Sequence, residues 1–238
     1  MDGDLIHVAS DDTVAAAIGD GEAQLRAIGV IAGAYFLTPA FHSQVGRRTV
    51  VAHFGFPRAI TDTYLHPDNF ENDPTPDYVM RIGRTLTWKQ AILREDMSDI
   101  QRTFVNQLRK AGLIDGIAMP LYGPNGRDSY SAFMFERALG PEDEDLVKRV
   151  FEITQFQHRK VCLLIERDFK TPITISKREG EVLFWMARGK SNADVAIILG
   201  ISTGTVDTFV RRLYAKLGVN DRIAAVLAGM SRGLLKLS

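Results

Sequence analysis

The side chains best suited to binding a polyanion are concentrated near the C-terminus. The segment from Ser202 to Leu217 has an amphipathic helical pattern, and its outward positions carry hydroxyl and cationic groups. A shorter apolar segment, Asn192 to Leu199, precedes it, and Gly200 lies between the two. Two helices joined by a tight glycine-containing turn are typical of proteins that enter the DNA major groove. The sequence therefore predicts a helix-turn-helix that binds double-stranded DNA.

Cationic and hydroxyl side chains in this region are the predicted contacts to phosphates and base edges. Asp207 differs from the others, because a carboxylate can accept a hydrogen bond from cytosine N4 but is repelled by phosphate. We expect Asp207 to alter the target preference; the alternative is that it faces away from the groove and only caps. The predicted DNA-binding residues are Lys190, Ser191, Thr203, Thr205, Asp207, Thr208, Arg211, Arg212 and Lys216.

Helix caps divide the rest of the C-terminal region into further helices. Ser176 and Glu179 have the spacing of a capping box, and the helix that they open ends at Gly189. Gly218 ends the groove-reading helix, and Arg222 to Met230 forms a fourth apolar helix. An all-α unit of four helices is therefore predicted.

Charge separates this region from the rest of the chain, although the net charge is zero. From Thr171 onward there are ten Lys or Arg against five Asp or Glu, and the remaining residues hold nineteen against twenty-four. A basic module joined to an acidic body is typical of a local DNA footprint. Pro172 cannot continue a helix, so we expect a domain over 1–168, a linker over 169–174 and a DNA-binding domain over 175–238.

The body of the chain has a mixed pattern of helices and strands. Its apolar periodicities alternate between those of helices and of strands, and the turn Gly123 to Gly126 separates two strands as a hairpin. The predicted elements are helices over Thr13 to Gly19, Glu22 to Ala34, Ser98 to Ala111 and Pro141 to about Asp168, and strands over Thr49 to Gly55, Ile117 to Tyr122 and Ser129 to Glu136.

The C-terminal motifs resemble the LuxR-type helix-turn-helix over Ile175 to Leu235. The family implies transcriptional regulation by a homodimer on a two-fold-related DNA site. The chain departs from the family at Asp207, where Lys or Arg is common, and at Phe209, where His is frequent. The resemblance lies in Arg178 to Leu183, Ala187 to Asn192, Ile198 to Ser202, Thr205-Val206 and Lys216 to Val219.

Tyr64, Asp73-Pro74, Trp88 and Gly116 have a distinctive spacing in the body of the chain. Through these residues the body resembles the autoinducer-binding domain of quorum-sensing regulators over Gly21 to Ile165. A phospho-receiver domain is excluded, because no Asp ends the predicted strand at the position where the phosphate is accepted. The family fold is an α-β-α sandwich that encloses an acyl-homoserine lactone. The expected fold class is therefore an α+β sandwich followed by an all-α helix-turn-helix domain.

The resemblance implies a role for each residue of the ligand site. Asp73 would accept the ligand N–H, the Tyr64 hydroxyl would donate, and Trp88 would form an apolar wall. The alternatives are that Asp73-Pro74 only begins a turn and that Trp88 is ordinary core. The predicted ligand-binding residues are Phe56, Ile60, Tyr64, Asp73, Trp88 and Ser131.

Ile60 lies where the family usually has a tryptophan that donates to the lactone carbonyl. An isoleucine cannot donate, and an unpaired carbonyl costs about 1–3 kcal/mol, or about ten- to hundredfold in affinity. We therefore expect a solo-type receptor for a non-standard acyl-homoserine lactone or another small signal with a polar head. The rival hypothesis is a ligand-independent regulator whose N-terminal domain only dimerises.

An enzyme is the less favoured class. The five histidines are scattered, and the sequence has no HExxH, GxSxG or phosphate-binding loop. We expect no cofactor and no metal. The acidic N-terminus and the absence of an 18-residue apolar run favour a cytoplasmic protein with no membrane partner.

Overall fold

The chain forms two compact units. The first consists mostly of residues up to Glu166 and the second mostly of residues from Arg167 onward. The first unit combines a sheet with helices and the second is helical, which confirms the predicted fold class. Most of the predicted linker, residues 169–172, lies outside the described residues. The computed structural model describes residues 6–7, 12–37, 50–65, 72–92, 96–113, 115–168 and 173–235.

A six-stranded sheet organises the described part of the first unit. Its strands are β1 (Ile6–His7), β2 (Ala32–Leu37), β3 (Val50–Phe54), β4 (Leu86–Thr87), β5 (Gly116–Leu121) and β6 (Ser129–Met134). The spatial order is β1-β3-β2-β6-β5-β4. Only the β1–β3 pair is parallel, and the other neighbours are antiparallel.

Helices cover both faces of this sheet. They are α1 (Asp12–Ala27), α2 (Arg58–Leu65), α3 (Thr75–Ile82), α4 (Trp88–Ile92), α5 (Asp99–Lys110) and α6 (Glu144–Asp168), with 3-10 turns at Pro124–Gly126 and Pro141–Asp143. Side chains of α1 and α6 form one apolar core with alternate residues of β5 and β6. Side chains of α3 and α4 pack on the opposite face, and those of α2 and α5 form a cluster beside them. The first unit is therefore a three-layer α-β-α sandwich.

The prediction of a helix over Glu22 to Ala34 is wrong in its second half. The helix ends at Ala27, and β2 begins at Ala32. β2 pairs with both β3 and β6, and a strand inside a sheet that is covered on both faces lacks the alternation of a half-exposed strand. The predicted break near Gly19 is also wrong. A Cβ on Gly21 would lie 2.2 Å from the Gln157 side chain, so this glycine permits α1 to approach α6.

Other predicted elements of the first unit are confirmed. The strand from Val50, both hairpin strands and the α6 helix are present. Ser98 caps α5 through the Gln101 amide, and the Gln101 side chain returns the hydrogen bond. The three short helices α2, α3 and α4 carry no long periodic pattern and were not predicted.

The second unit contains the four predicted helices. They are α7 (Lys177–Ala187), α8 (Asn192–Leu199), α9 (Thr203–Leu217) and α10 (Arg222–Ser231). Gly200 is left-handed, at φ 65°, and α8 and α9 meet at 111°. No single helix among the described residues is long and apolar enough to cross a membrane; only this bent pair, taken together, meets the length and composition criteria.

A buried carboxylate joins α7 to α9. Glu179 accepts hydrogen bonds from the Ser176 amide (2.6 Å) and from Lys216 Nζ (2.7 Å), and Lys216 also donates to the Thr174 carbonyl (3.1 Å). Burial alone would raise the pKa of Glu179, but the hydrogen bonds from Lys216 and Ser176 together lower it. Lys216, one of the predicted DNA contacts, therefore also has a structural role, because its ammonium compensates a buried acid within the unit.

We predict that Lys216→Met destabilises the chain by about 1–3 kcal/mol, because Glu179 would keep its buried charge without a cationic partner. Urea denaturation followed by circular dichroism measures this loss. Arg212→Met is the matched control, since Arg212 is exposed on the same helix, and we expect it to change stability by less than about 0.5 kcal/mol. Equal losses for the two variants would contradict the structural role of Lys216.

Candidate functional site

A cavity of about 90 Å³ lies between the sheet and helices α2 to α5 of the first unit. It has room for more than a single water molecule, and its walls are mostly apolar. Five of the six predicted ligand-binding residues line it, namely Phe56, Ile60, Tyr64, Asp73 and Trp88. The fold therefore brings these five predicted side chains together in the lining of one cavity.

Asp73 is the acidic group of this cavity. Its Oδ2 accepts a hydrogen bond from the Tyr64 hydroxyl at 2.7 Å, and its Oδ1 accepts one from the Thr75 amide at 2.8 Å. Burial raises the pKa of Asp73, although the hydrogen bonds from Tyr64 and Thr75 oppose the shift. Burial and the neighbouring Asp73 raise the pKa of Tyr64 well above its usual value, so Tyr64 stays a donor.

Apolar side chains hold the other walls in place. Ile60 is buried against Phe104, and the Tyr64 ring meets the Phe104 ring edge-on with centroids 5.4 Å apart. Trp88 is 5% exposed, and a Cβ on Gly116 would lie 2.9 Å from its ring. Because Gly116 has no side chain, the Trp88 indole packs directly against β5. Ile60 presents no hydrogen-bond donor to the cavity.

Ser131 does not line the cavity, which corrects its predicted role. Side chains alternate along β6, so Ser131 shares its face with Phe133, in the core formed with α1 and α6. Its strand partner Tyr35 also points there, and the Tyr35 hydroxyl lies 2.7 Å from His158 Nδ1 on α6. Ser131 Oγ is buried without a hydrogen bond to any described residue.

Tyr130 is a cavity residue that sequence reasoning missed. It belongs to the opposite set of β6 side chains, with Ala132, and both line the cavity. Tyr130 is 5% exposed. The only signal in the sequence is that side chains alternate between the two faces of β6. Which alternate set faces the cavity is known only once the register with the neighbouring strands is known.

The predicted DNA-binding residues lie on the exposed surface around α8 and α9. All are exposed except Thr208, which is half-buried. Several bond locally: Ser191 caps α8, Thr205 Oγ1 lies 2.8 Å from Ser202 Oγ, and the Thr208 hydroxyl donates to the Gly204 carbonyl. Thr203 lies at the first turn of α9. Of the four predicted DNA-binding cations, only Lys216 forms an ion pair with a buried acid; Lys190, Arg211 and Arg212 form none among the described residues.

Asp207 is tied to the helix before it. Its Oδ1 accepts a hydrogen bond from Asn192 Nδ2 at 2.7 Å. Asn192 Oδ1 in turn accepts one from Arg222 at 3.3 Å, and Arg222 also donates to the Lys190 carbonyl. A carboxylate on the exposed surface of α9 therefore links the starts of α8, α9 and α10, and it lowers the positive charge of that surface.

We predict that Asp73→Asn makes the ligand-free chain more stable at neutral pH. A carboxyl whose folded pKa lies above its unfolded value near 3.9 favours folding only at low pH, and this contribution is lost as the pH rises through the folded pKa. The excess stability of the variant should therefore grow as the pH rises above about 3.9 and level off once the folded carboxyl is ionised, as measured by urea denaturation. Asp62→Asn, on exposed α2 surface, is the control. A gain that is constant with pH would contradict the raised pKa.

Two family profiles together cover most of the chain. The autoinducer binding domain matches residues 14–158, which is more than half of the chain. The family described as bacterial regulatory proteins, luxR family, matches residues 174–228. The first match contains the cavity and the second contains the helix-turn-helix.

Individual proteins agree with these profiles. The putative HTH-type transcriptional regulator y4qH of Sinorhizobium fredii is 28% identical over 64% of this chain, which spans about half (47%) of its length. The quorum sensing-dependent regulator RpaR of Rhodopseudomonas palustris is 26% identical over 77% of this chain and 74% of its own.

Solved structures share the fold. The crystal structure of Escherichia coli SdiA superposes with a TM-score of 0.66 at 21% identity over 95% of this chain and 93% of that one. SdiA in complex with octanoyl-rac-glycerol gives 0.65 at 20% identity over 94% and 90%. The chain thus belongs to the LuxR family of bacterial transcriptional regulators, a family of DNA-binding proteins rather than enzymes, and to its quorum-sensing type with an autoinducer-binding domain.

Proposed function

We propose that this chain is a ligand-responsive regulator that binds double-stranded DNA as a cytoplasmic homodimer. Residues 1–168 would sense a small molecule, 169–174 would link, and 175–238 would bind DNA. The observation that carries the proposal is the half-buried Asp73 carboxyl in the wall of a mostly apolar cavity. A carboxyl in such a place costs free energy that a ligand donor can offset.

The ligand of this cavity would be a small molecule with an apolar tail and one polar head. Each Asp73 oxygen already accepts one hydrogen bond, and a carboxylate retains further lone-pair sites for a ligand N–H or O–H. The apolar walls suit an acyl chain. The octanoyl-rac-glycerol of the SdiA complex is a molecule of this kind, which supports the choice of an acyl ligand as probe.

Ile60 would set this chain apart from a standard lactone receptor. It is buried in the cavity wall and offers no donor to a lactone carbonyl. We therefore infer a solo-type receptor whose ligand is a non-standard acyl-homoserine lactone or another acylated signal.

We predict that Ile60→Trp strengthens binding of N-octanoyl-homoserine lactone about tenfold, because the indole N–H pairs with the lactone carbonyl. Ile60→Phe controls for ring size without a donor. Isothermal titration of the full chain gives the dissociation constants, and the rise of melting temperature with probe concentration reports binding independently.

Nanomolar binding of this lactone to the unaltered chain would contradict the role given to Ile60, as would an equal gain in Ile60→Phe. If no acyl probe raises the melting temperature of the unaltered chain, the ligand-independent alternative replaces the sensor.

DNA binding would use the exposed face of α9. Thr208, Arg211 and Arg212 share that outward face, opposite the buried Val206 and Leu213. Helix α9 would enter the major groove, with Lys190, Ser191 and Thr203 to Thr208 contacting phosphates and base edges. Lys216 is left out of this set because Glu179 holds it.

Two copies of α9 must lie about one helical turn of DNA, or about 34 Å, apart for a dimer to read a two-fold site. Exposed apolar side chains offer dimer surfaces. Phe156 is 72% exposed and Leu163 47% exposed on the same stripe of α6, and Ile223 is 73% exposed on α10. We infer that these helices contribute to the homodimer, and that ligand stabilises the first unit and so biases DNA binding.

We predict that Asp207→Lys binds DNA more tightly and with a steeper salt dependence, by about one in the slope of log K against log salt for each protomer, because a lysine adds a phosphate contact. It should also change which sites are preferred. Asp207→Asn is the control that removes only the negative charge. Fluorescence anisotropy from about 50 to 200 mM salt measures both properties. An Asp207→Lys variant with unchanged sites and unchanged slope would contradict a role for Asp207 at the interface.

A further inference from the structure

Tyr130 is the polar group of the cavity that the proposed function leaves unused. Its side chain projects from β6 among apolar neighbours, and its ring lies 5.8 Å from the Phe36 ring, centroid to centroid. It is only 5% exposed, and its hydroxyl makes no hydrogen bond to any residue that the structure describes. A hydroxyl that lines an apolar cavity without a protein partner can donate to a ligand acceptor.

The other phenol that lines the cavity is engaged, since Tyr64 donates to Asp73. The Thr61 hydroxyl donates to the Arg58 carbonyl at 2.9 Å, and the Thr75 backbone amide donates to Asp73 at 2.8 Å. Of the two tyrosine hydroxyls in the described lining, Tyr130 is therefore the donor that is available to an incoming ligand.

Tyr130 and Asp73 are complementary and belong to different walls. Tyr130 is on the sheet, whereas Asp73 precedes α3. Burial, and to a smaller extent the Asp73 charge, raise the pKa of Tyr130 well above its usual value, so the phenol stays protonated. A trans amide presents its N–H and its C=O in opposite directions, which matches an acceptor on one wall and a donor on the other.

We propose that Tyr130 donates a hydrogen bond to the amide carbonyl oxygen of an acyl amide whose N–H is accepted by Asp73. This inference rests on the proposed sensor function and adds the residue that donates to the acyl carbonyl of the ligand. A single amide group satisfies both side chains, so a lactone ring is not required. Tyr130 thus provides a sheet-side donor in a cavity where Ile60 provides none.

Two probes of equal ring size test the inference on the full chain by isothermal titration. N-octanoyl-homoserine lactone and N-cyclopentyloctanamide share the amide, but only the first has a lactone carbonyl. We expect Tyr130→Phe to weaken the binding of both probes about tenfold and by the same factor, because the variant loses a hydrogen bond to the amide carbonyl that the two probes share. Phenylalanine keeps the packing of the ring. Tyr122→Phe is the matched control, since Tyr122 is 49% exposed and lies outside the cavity lining; it should leave both affinities unchanged.

Affinities within about twofold of the unaltered chain for Tyr130→Phe would overturn this inference and leave the sensor function standing. A loss confined to the lactone would also overturn it, since Tyr130 would then contact the ring carbonyl. If neither probe binds the unaltered chain, the acyl-ligand function fails, and the inference fails with it.

Discussion

A carboxylate that leaves bulk water needs hydrogen-bond donors, and each unit of this chain contains such a group. In the second unit Glu179 receives the Ser176 amide and the Lys216 ammonium, which fastens α7 to α9. In the first unit Asp73 receives only neutral donors, from Tyr64 and Thr75. The first arrangement pairs the carboxylate with a cation and stabilises the folded unit. The second leaves the acid without a cationic partner among the described residues, and on this ground we propose the cavity as a site for a ligand donor.

The alternation of side chains along each strand determines which polar groups share the cavity with Asp73. Even-numbered positions of β6 face the cavity and odd-numbered positions face α6, so Tyr130 joins Asp73 whereas Ser131 lies with Tyr35. The opposite parity would have exchanged a phenol for a serine in the cavity and changed its hydrogen-bonding chemistry.

Local signals explain what the sequence could predict. Caps at Ser176, Ser191 and Ser202 act within three residues and mark the starts of three of the four C-terminal helices. The spacing of Tyr64, Asp73 and Trp88 also identified the cavity wall, through family resemblance. What could not be predicted depends on distant partners. The sandwiched strand β2 has no alternation to reveal it, and the partners of Lys216 and Asp207 lie 37 and 15 residues away along the chain.

The most direct test of the account is a crystal structure of the full chain with N-cyclopentyloctanamide. We expect the acyl chain in the cavity beside Ile60 and Trp88, the amide nitrogen about 3 Å from an Asp73 oxygen, and the amide oxygen about 3 Å from the Tyr130 hydroxyl. An amide that contacts neither side chain, or a ligand bound outside this cavity, would contradict the claim that the Asp73 carboxyl is the anchor of the sensor.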